Sequence, residues 1–86
     1  MSPDIGVELL LFAHLRELCD YQGKVLVEVP DGASPAICFD VLCEQFPGIG
    51  GLRATLAVAV NEEYTGWDHV LRQGDVLSFI PPVSGG

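Results

Sequence analysis

At 86 residues the chain has room for one small domain with one hydrophobic core, and 49% hydrophobic residues are enough to build it. Twelve acidic residues against four basic ones give a formal net charge of −8, which disfavours nucleic acid and anionic membrane and favours a basic protein partner. No apolar run approaches the roughly 20 residues that cross a bilayer, and Met1-Ser2-Pro3-Asp4 lacks the basic start of a signal peptide, so a cytoplasmic protein is expected.

The run from Ile5 to Phe12 is too short for an ordinary helix and reads as a central strand. Alternation sends Val7, Leu9 and Leu11 to one face and Leu10 and Phe12 to the other, with Glu8 marking the wetter side. Leu15, Leu18 and Cys19 then fall at helical spacing and predict a short helix over 13–19, closed by Gly23. His14 has no partner in the sequence and reads as a surface residue. Val25, Val27 and Val29 alternate with Lys24, Leu26 and Glu28, the pattern of a half-buried strand, which Pro30-Asp31-Gly32 ends.

The strongest helix signal follows. Ser34 suits an N-cap, Pro35 the first helical position, and Pro47-Gly48 stops the run, which predicts a helix over 35–46. Pro35, Cys38, Phe39, Leu42 and Phe46 form its core stripe, opposite Asp40 and Glu44. The glycines of the stretch Gly48–Arg53 lack the Gly-Lys-Ser/Thr ending of a phosphate cradle and follow a helix instead of a strand, so the stretch reads as a plain loop. Leu56–Val60 is the third strand, Asn61-Glu62-Glu63 a turn, and Tyr64-Thr65 the start of a short return strand. Trp67-Asp68-His69 reads as loop, with no second ligand that would make His69 a metal site. Leu71–Asp75 turns the chain into a last strand, Val76–Ile80. Cys19, Cys38 and Cys43 are odd in number and match no paired zinc spacing, which leaves buried free thiols as the expectation.

One long helix serves a whole sheet, so the expected class is α+β in two layers, with one sheet face bare. Parity places Leu10, Phe12, Val76 and Ile80 on that bare face and turns Leu77 and Phe79 to the helix. With Tyr64 of the return strand they form the candidate partner-binding set.

Residues 1–80 thus read as the domain and 81–86 as a tail. Pro81 and Pro82 cannot donate to a sheet, so the chain leaves its ladder there and continues extended. Six residues at about 3.3 Å each carry the end up to roughly 20 Å away, far enough to enter another protein's active site. Val83 and Ser84 lead to Gly85 and Gly86, which have no Cβ and fit a narrow channel, and Gly86 supplies a carboxylate.

The run Phe12-Ala13-His14-Leu15-Arg16-Glu17-Leu18, Val60-Asn61, Gly74-Asp75 and the ending Pro81-Pro82-Val83-Ser84-Gly85-Gly86 together resemble the small subunits of molybdopterin synthase, over nearly the whole chain. The resemblance implies a ubiquitin-like β-grasp: a mixed sheet with one main helix packed on one face, and first and last strands adjacent and parallel at its centre. It also implies a sulfur carrier. A ubiquitin-activating-enzyme-like adenylyltransferase would spend ATP to adenylate the Gly86 carboxylate, and a sulfur donor would convert it to a thiocarboxylate. The large synthase subunit would then take the tail and pass the sulfur to a cyclic pyranopterin monophosphate, building the dithiolene in molybdenum cofactor biosynthesis. No cofactor is expected on this chain itself. The Gly-Gly end alone is shared with thiamine sulfur carriers and ubiquitin-like modifiers, so thiamine or tRNA thiolation, protein conjugation and a non-catalytic interaction domain stand as alternatives.

Overall fold

The computed structural model describes residues 4–82. Its first strand, β1 (Asp4–Leu11), buries Ile5, Val7, Leu9 and Leu11 and leaves Gly6, Glu8 and Leu10 half-buried between them, the period-two sorting of a strand with one covered face. The strand stops one residue earlier than its apolar pattern. Phe12 remains extended, but Ala13 takes φ +51° and turns the chain into α1 (Ala13–Leu18).

β2 (Lys24–Pro30) runs antiparallel to β1, pairing Val27 with Val7 and Val25 with Leu9. α2 (Pro35–Gln45) starts where its cap requires: Ser34 Oγ accepts from the Ile37 N–H at 3.4 Å, and Pro35, with no N–H to lose, opens the helix. A 3₁₀ segment, Pro47–Thr55, leads to β3 (Ala57–Val60), β4 (Glu63–Thr65) and finally β5 (Val76–Ile80). β5 lies parallel to β1, with Leu77 beside Leu9 and Phe79 beside Leu11, and antiparallel to β3. The sheet order is β2-β1-β5-β3-β4, so the first and last strands are central neighbours, as the resemblance implied, and the β-grasp expectation holds. No described helix is long and apolar enough to cross a membrane.

The core lies between the sheet and α2. Val7, Leu9, Leu77 and Phe79 from the two central strands meet Cys38, Phe39 and Leu42 of the helix, all buried. Among the described residues no polar or charged side chain is buried, so the core has no internal hydrogen-bond cost to offset. Cys19 and Cys38 are buried and Cys43 is half-buried, all three as free thiols. Burial pushes the Cys38 thiol up to about 11 and raises Cys19 and Cys43 as well, because the thiolate loses its hydration.

Four sequence expectations need correction. Leu18 is largely exposed, since a six-residue helix turns only Leu15 onto the core, with Cys19 following as its cap. Phe46 is the half-buried C-cap of α2 and not its last helical residue. The stretch read as a plain loop is the 3₁₀ segment, which closes on short-range bonds such as Ile49 N–H to the Phe46 carbonyl and is pinned by a fully buried Ile49. Finally, Trp67 is more than loop. Its indole stacks on Phe79 at 5.9 Å and meets the edge of Phe39 at 5.7 Å, while the Arg53 guanidinium caps it at 4.8 Å.

Candidate functional site: the bare sheet face and the root of the tail

Strand register builds the site. On the face away from α2, Leu10 lies beside Ser78, Ser78 beside Ala59 and Ala59 beside Tyr64, one row crossing β1, β5, β3 and β4. Two residues further along, Phe12 leaves β1 on the same side as Ile80 of β5. The result is a shallow dish with Ala59 and Ser78 as floor, Leu10, Phe12, Tyr64 and Ile80 as walls, and Glu62 on the rim.

Its exposure is unusual for its composition. Phe12 is 45% exposed and Tyr64 73%, whereas the helix-side residues of the same strands, Leu77 and Phe79, are fully buried. Two aromatic rings held open beside Leu10 and Ile80 leave an apolar patch uncovered. Ala59 is buried although it points outward, because the larger side chains around it close over a methyl group. Val76 occupies the same face but opens onto a neighbouring recess with Leu10, Asn61 and Glu62, away from the dish itself. Leu10, Phe12 and Ile80, placed here by parity together with Val76, and Tyr64, added from the return strand, thus come together as the walls. Parity missed the floor residues Ala59 and Ser78, whose small side chains carry no pattern signal, and it missed Leu26, 71% exposed on the same face beside Glu8.

A hydrogen-bonded hinge holds the dish in shape. The β3–β4 turn is two residues long, Asn61 and Glu62, both at positive φ (+51° and +72°), the backbone of a type I′ hairpin. From that turn Asn61 accepts from the Val76 N–H at 3.0 Å through Oδ1 and donates to Asp75 Oδ1 at 3.0 Å through Nδ2. The hairpin carrying Tyr64 is therefore bolted to the start of the strand carrying Ile80.

The tail begins at the other end of that strand. Pro81 is half-buried and Pro82 exposed, and both line a groove with His14 at the start of α1 and Leu52, Thr55 and Leu56 at the end of the 3₁₀ segment. The remaining tail candidates, Val83, Ser84, Gly85 and Gly86, lie outside the described residues. His14 is at the surface, 3.9 Å from Glu17. His69 Nδ1 lies 3.2 Å from Thr65 Oγ1 on the exposed surface. Among the described residues no three His, Cys, Asp or Glu side chains gather as metal ligands.

A mixed sheet that grips one helix defines the class as ubiquitin-like β-grasp. The crystal structure of SAMP1 from Haloferax volcanii superposes with a TM-score of 0.83 at 28% identity, covering 94% of this chain and 99% of that one. A putative molybdopterin converting factor, subunit 1, from Pyrococcus furiosus gives 0.81 at 26%, covering 92% and 99%. The ThiS family model matches residues 9–86, and the chain belongs to the ThiS family. Within it, the molybdopterin synthase sulfur carrier subunit of Arabidopsis thaliana is 37% identical over 99% of this chain and 88% of that protein. The protein of the same description from Mycobacterium tuberculosis is 34% identical over 95% and 99%.

Proposed function

We propose that the chain is the sulfur carrier subunit of a molybdopterin synthase and that Gly86 is its working end. The observation that carries this reading is a shared strand: Ile80 walls the apolar dish and Pro81, the next residue, roots the tail. A partner that covers the dish is thereby placed to receive the tail. The relatives described as sulfur carrier subunits of molybdopterin synthase supply the chemistry.

A carboxylate is a poor acyl donor because its oxygen leaves badly. In the proposed cycle the Gly86 carboxylate attacks the α-phosphorus of ATP on an activating enzyme, and pyrophosphate departs. A hydrosulfide equivalent from the sulfur donor then attacks the acyl carbon of the mixed anhydride, AMP leaves with the original oxygen, and loss of the S–H proton leaves the tail as a thiocarboxylate. The large synthase subunit binds the dish, takes residues 81–86 as the tail of a domain spanning 1–80, and uses the sulfur on a cyclic pyranopterin monophosphate. The chain contributes position and cargo; the acid, base and phosphate-binding groups belong to its partners. We place the cycle in the cytoplasm.

Intact-mass measurement after incubation with ATP, the activating enzyme and a sulfur donor tests the reading. An oxygen-to-sulfur exchange localised to Gly86 supports it. An unchanged mass, or an isopeptide adduct on lysines of other proteins in place of the exchange, overturns it.

A further inference from the structure

Among the described residues the sheet has two open edges, and β2 is the longer. Leu11 N–H donates to the Gly23 carbonyl at 3.0 Å on the β2 side of β1, and Glu8 N–H donates to the Asp75 carbonyl at 3.1 Å on the β5 side. Odd-numbered residues of β1 are therefore the ones bonded to β2, and the register Leu9 with Val25 and Val7 with Val27 makes Val25 and Val27 their partners. Lys24, Leu26 and Glu28 consequently turn both backbone groups to the open edge, while Pro30 has no N–H to offer and ends it.

We propose that this edge pairs with the same edge of a second copy, antiparallel and centred on Leu26. A two-fold axis at Leu26 sets Leu26 against Leu26 of the other copy and Lys24 against its Glu28, twice over. All three pairs fall in the hydrogen-bonded phase, so each exchanges both backbone bonds. All three side chains also share the outer face, where an exposed leucine meets its copy and Lys24, whose Nζ lies 3.5 Å from Glu8 Oε1 of its own chain, gains a second carboxylate in Glu28 of the other. Shifting the register by two residues keeps the hydrogen-bond phase but opposes Leu26 to Glu28 and Lys24 to Pro30, or leaves Glu28 against Gln22; only the Leu26-centred register satisfies both charge pairs. The other open edge does not share this property. β4 has three residues, and a two-fold centred on its Tyr64 would set Glu63 against Thr65, with no opposite-charge pair.

Pairing at β2 continues the five-stranded sheet into its copy and leaves the dish free, since the dish lies across β1, β5, β3 and β4. Because the axis reverses strand direction, the two tails leave from opposite ends of the joined sheet. The contact is small beside the roughly 800 Å² per partner of stable complexes, and each copy carries −8, so the dimer is weak and forms at high concentration. The proposal does not depend on the sulfur-carrier reading.

Sedimentation equilibrium of the full chain over a concentration series tests it, with Lys24→Glu and Glu28→Lys as variants at exposed positions. The wild type is expected to move from monomer toward dimer, and each variant alone to raise the dissociation constant on the order of tenfold or more. Mixing the two variants should restore association, because one then presents only carboxylates and the other only ammonium groups. Hydrogen exchange needs no substitution: the Leu26 amide, which faces the open edge and has no partner among the described residues, should slow as concentration rises. A wild type that stays monomeric throughout, a dimer whose Leu26 amide exchanges at the monomer rate, or a mixture no tighter than its components would each overturn the proposal.

Discussion

Phe12 stands one residue beyond a strand whose inner side chains are buried, yet it is 45% exposed. A ring so placed adds little to folding, and under the proposed function it anchors the partner. Phe12→Asp is expected to weaken association with the large subunit by roughly 2–4 kcal/mol, as loss of an interface anchor does, with the thermal midpoint nearly unchanged. Calorimetric titration beside a melting curve checks both halves, and a collapsed midpoint would mean that the ring supports the core. Cys38 represents the opposite environment. Its thiol, raised from the ordinary 9.0 to about 11 by burial, stays protonated and unreactive in the folded chain. Since the folded value lies above the unfolded one, its contribution to stability is complete below pH 9 and disappears as pH climbs through about 11. Alkylation at mildly alkaline pH should therefore label half-buried Cys43 first and Cys38 last, read by peptide mass; equal rates would contradict the burial.

Element by element, the parts visible in the sequence were those whose period was clean. β1 and β2 alternate without interruption, and α2 has a serine cap, a proline start and a Pro-Gly stop, so their faces and limits followed to within a residue or so. The 3₁₀ segment was hidden because glycines and a proline occupy four of its first five positions and only Ile49 signals an inner face. Trp67 was hidden for a different reason: a single aromatic in a turn has no period, and its partners Phe39 and Phe79 are distant in the chain. Of the site, parity recovered the walls on β1 and β5, the return strand supplied Tyr64, and neither could recover the floor. The hinge at Asn61 combines both cases, legible as a turn but not as a bolt between strands. Asn61→Ala removes both side-chain bonds and places a Cβ without compensating polarity at φ +51°. It should cost about 1–3 kcal/mol in urea denaturation and loosen the hairpin bearing Tyr64. A loss within error of zero would show that the backbone bond from Asn61 N–H to the Val76 carbonyl suffices.

At the scale of the whole molecule, an acidic domain presents an apolar dish with a glutamate on its rim. Long-range attraction should bring a basic partner in, so the association rate with the large subunit is expected to fall as salt rises while dissociation changes less. Stopped-flow measurements across ionic strength decide this, and a flat rate would remove the steering role. The tail imposes a second constraint, on length. Gly85→Val keeps the charge and widens the backbone; one residue added after Gly86 keeps the charge and displaces it. Both should leave circular dichroism unchanged and slow thiocarboxylate formation about 100-fold or more, since a displacement near 1 Å at a reacting centre has that effect. Full activity in either variant would move the working end elsewhere.

Because the chain has one tryptophan, and that indole stacks on Phe79 on the inner side of the strand whose outer side carries Ile80, the protein comes with an optical probe wired to the strand that walls the dish but set on the opposite face from it. Emission from Trp67 reports whether β5 is still seated on α2 and is blind to side-chain changes at Phe12 or Tyr64. A red shift in a dish variant would identify a damaged scaffold within minutes, without label or partner, and an unshifted spectrum would certify that any lost binding was lost at the surface.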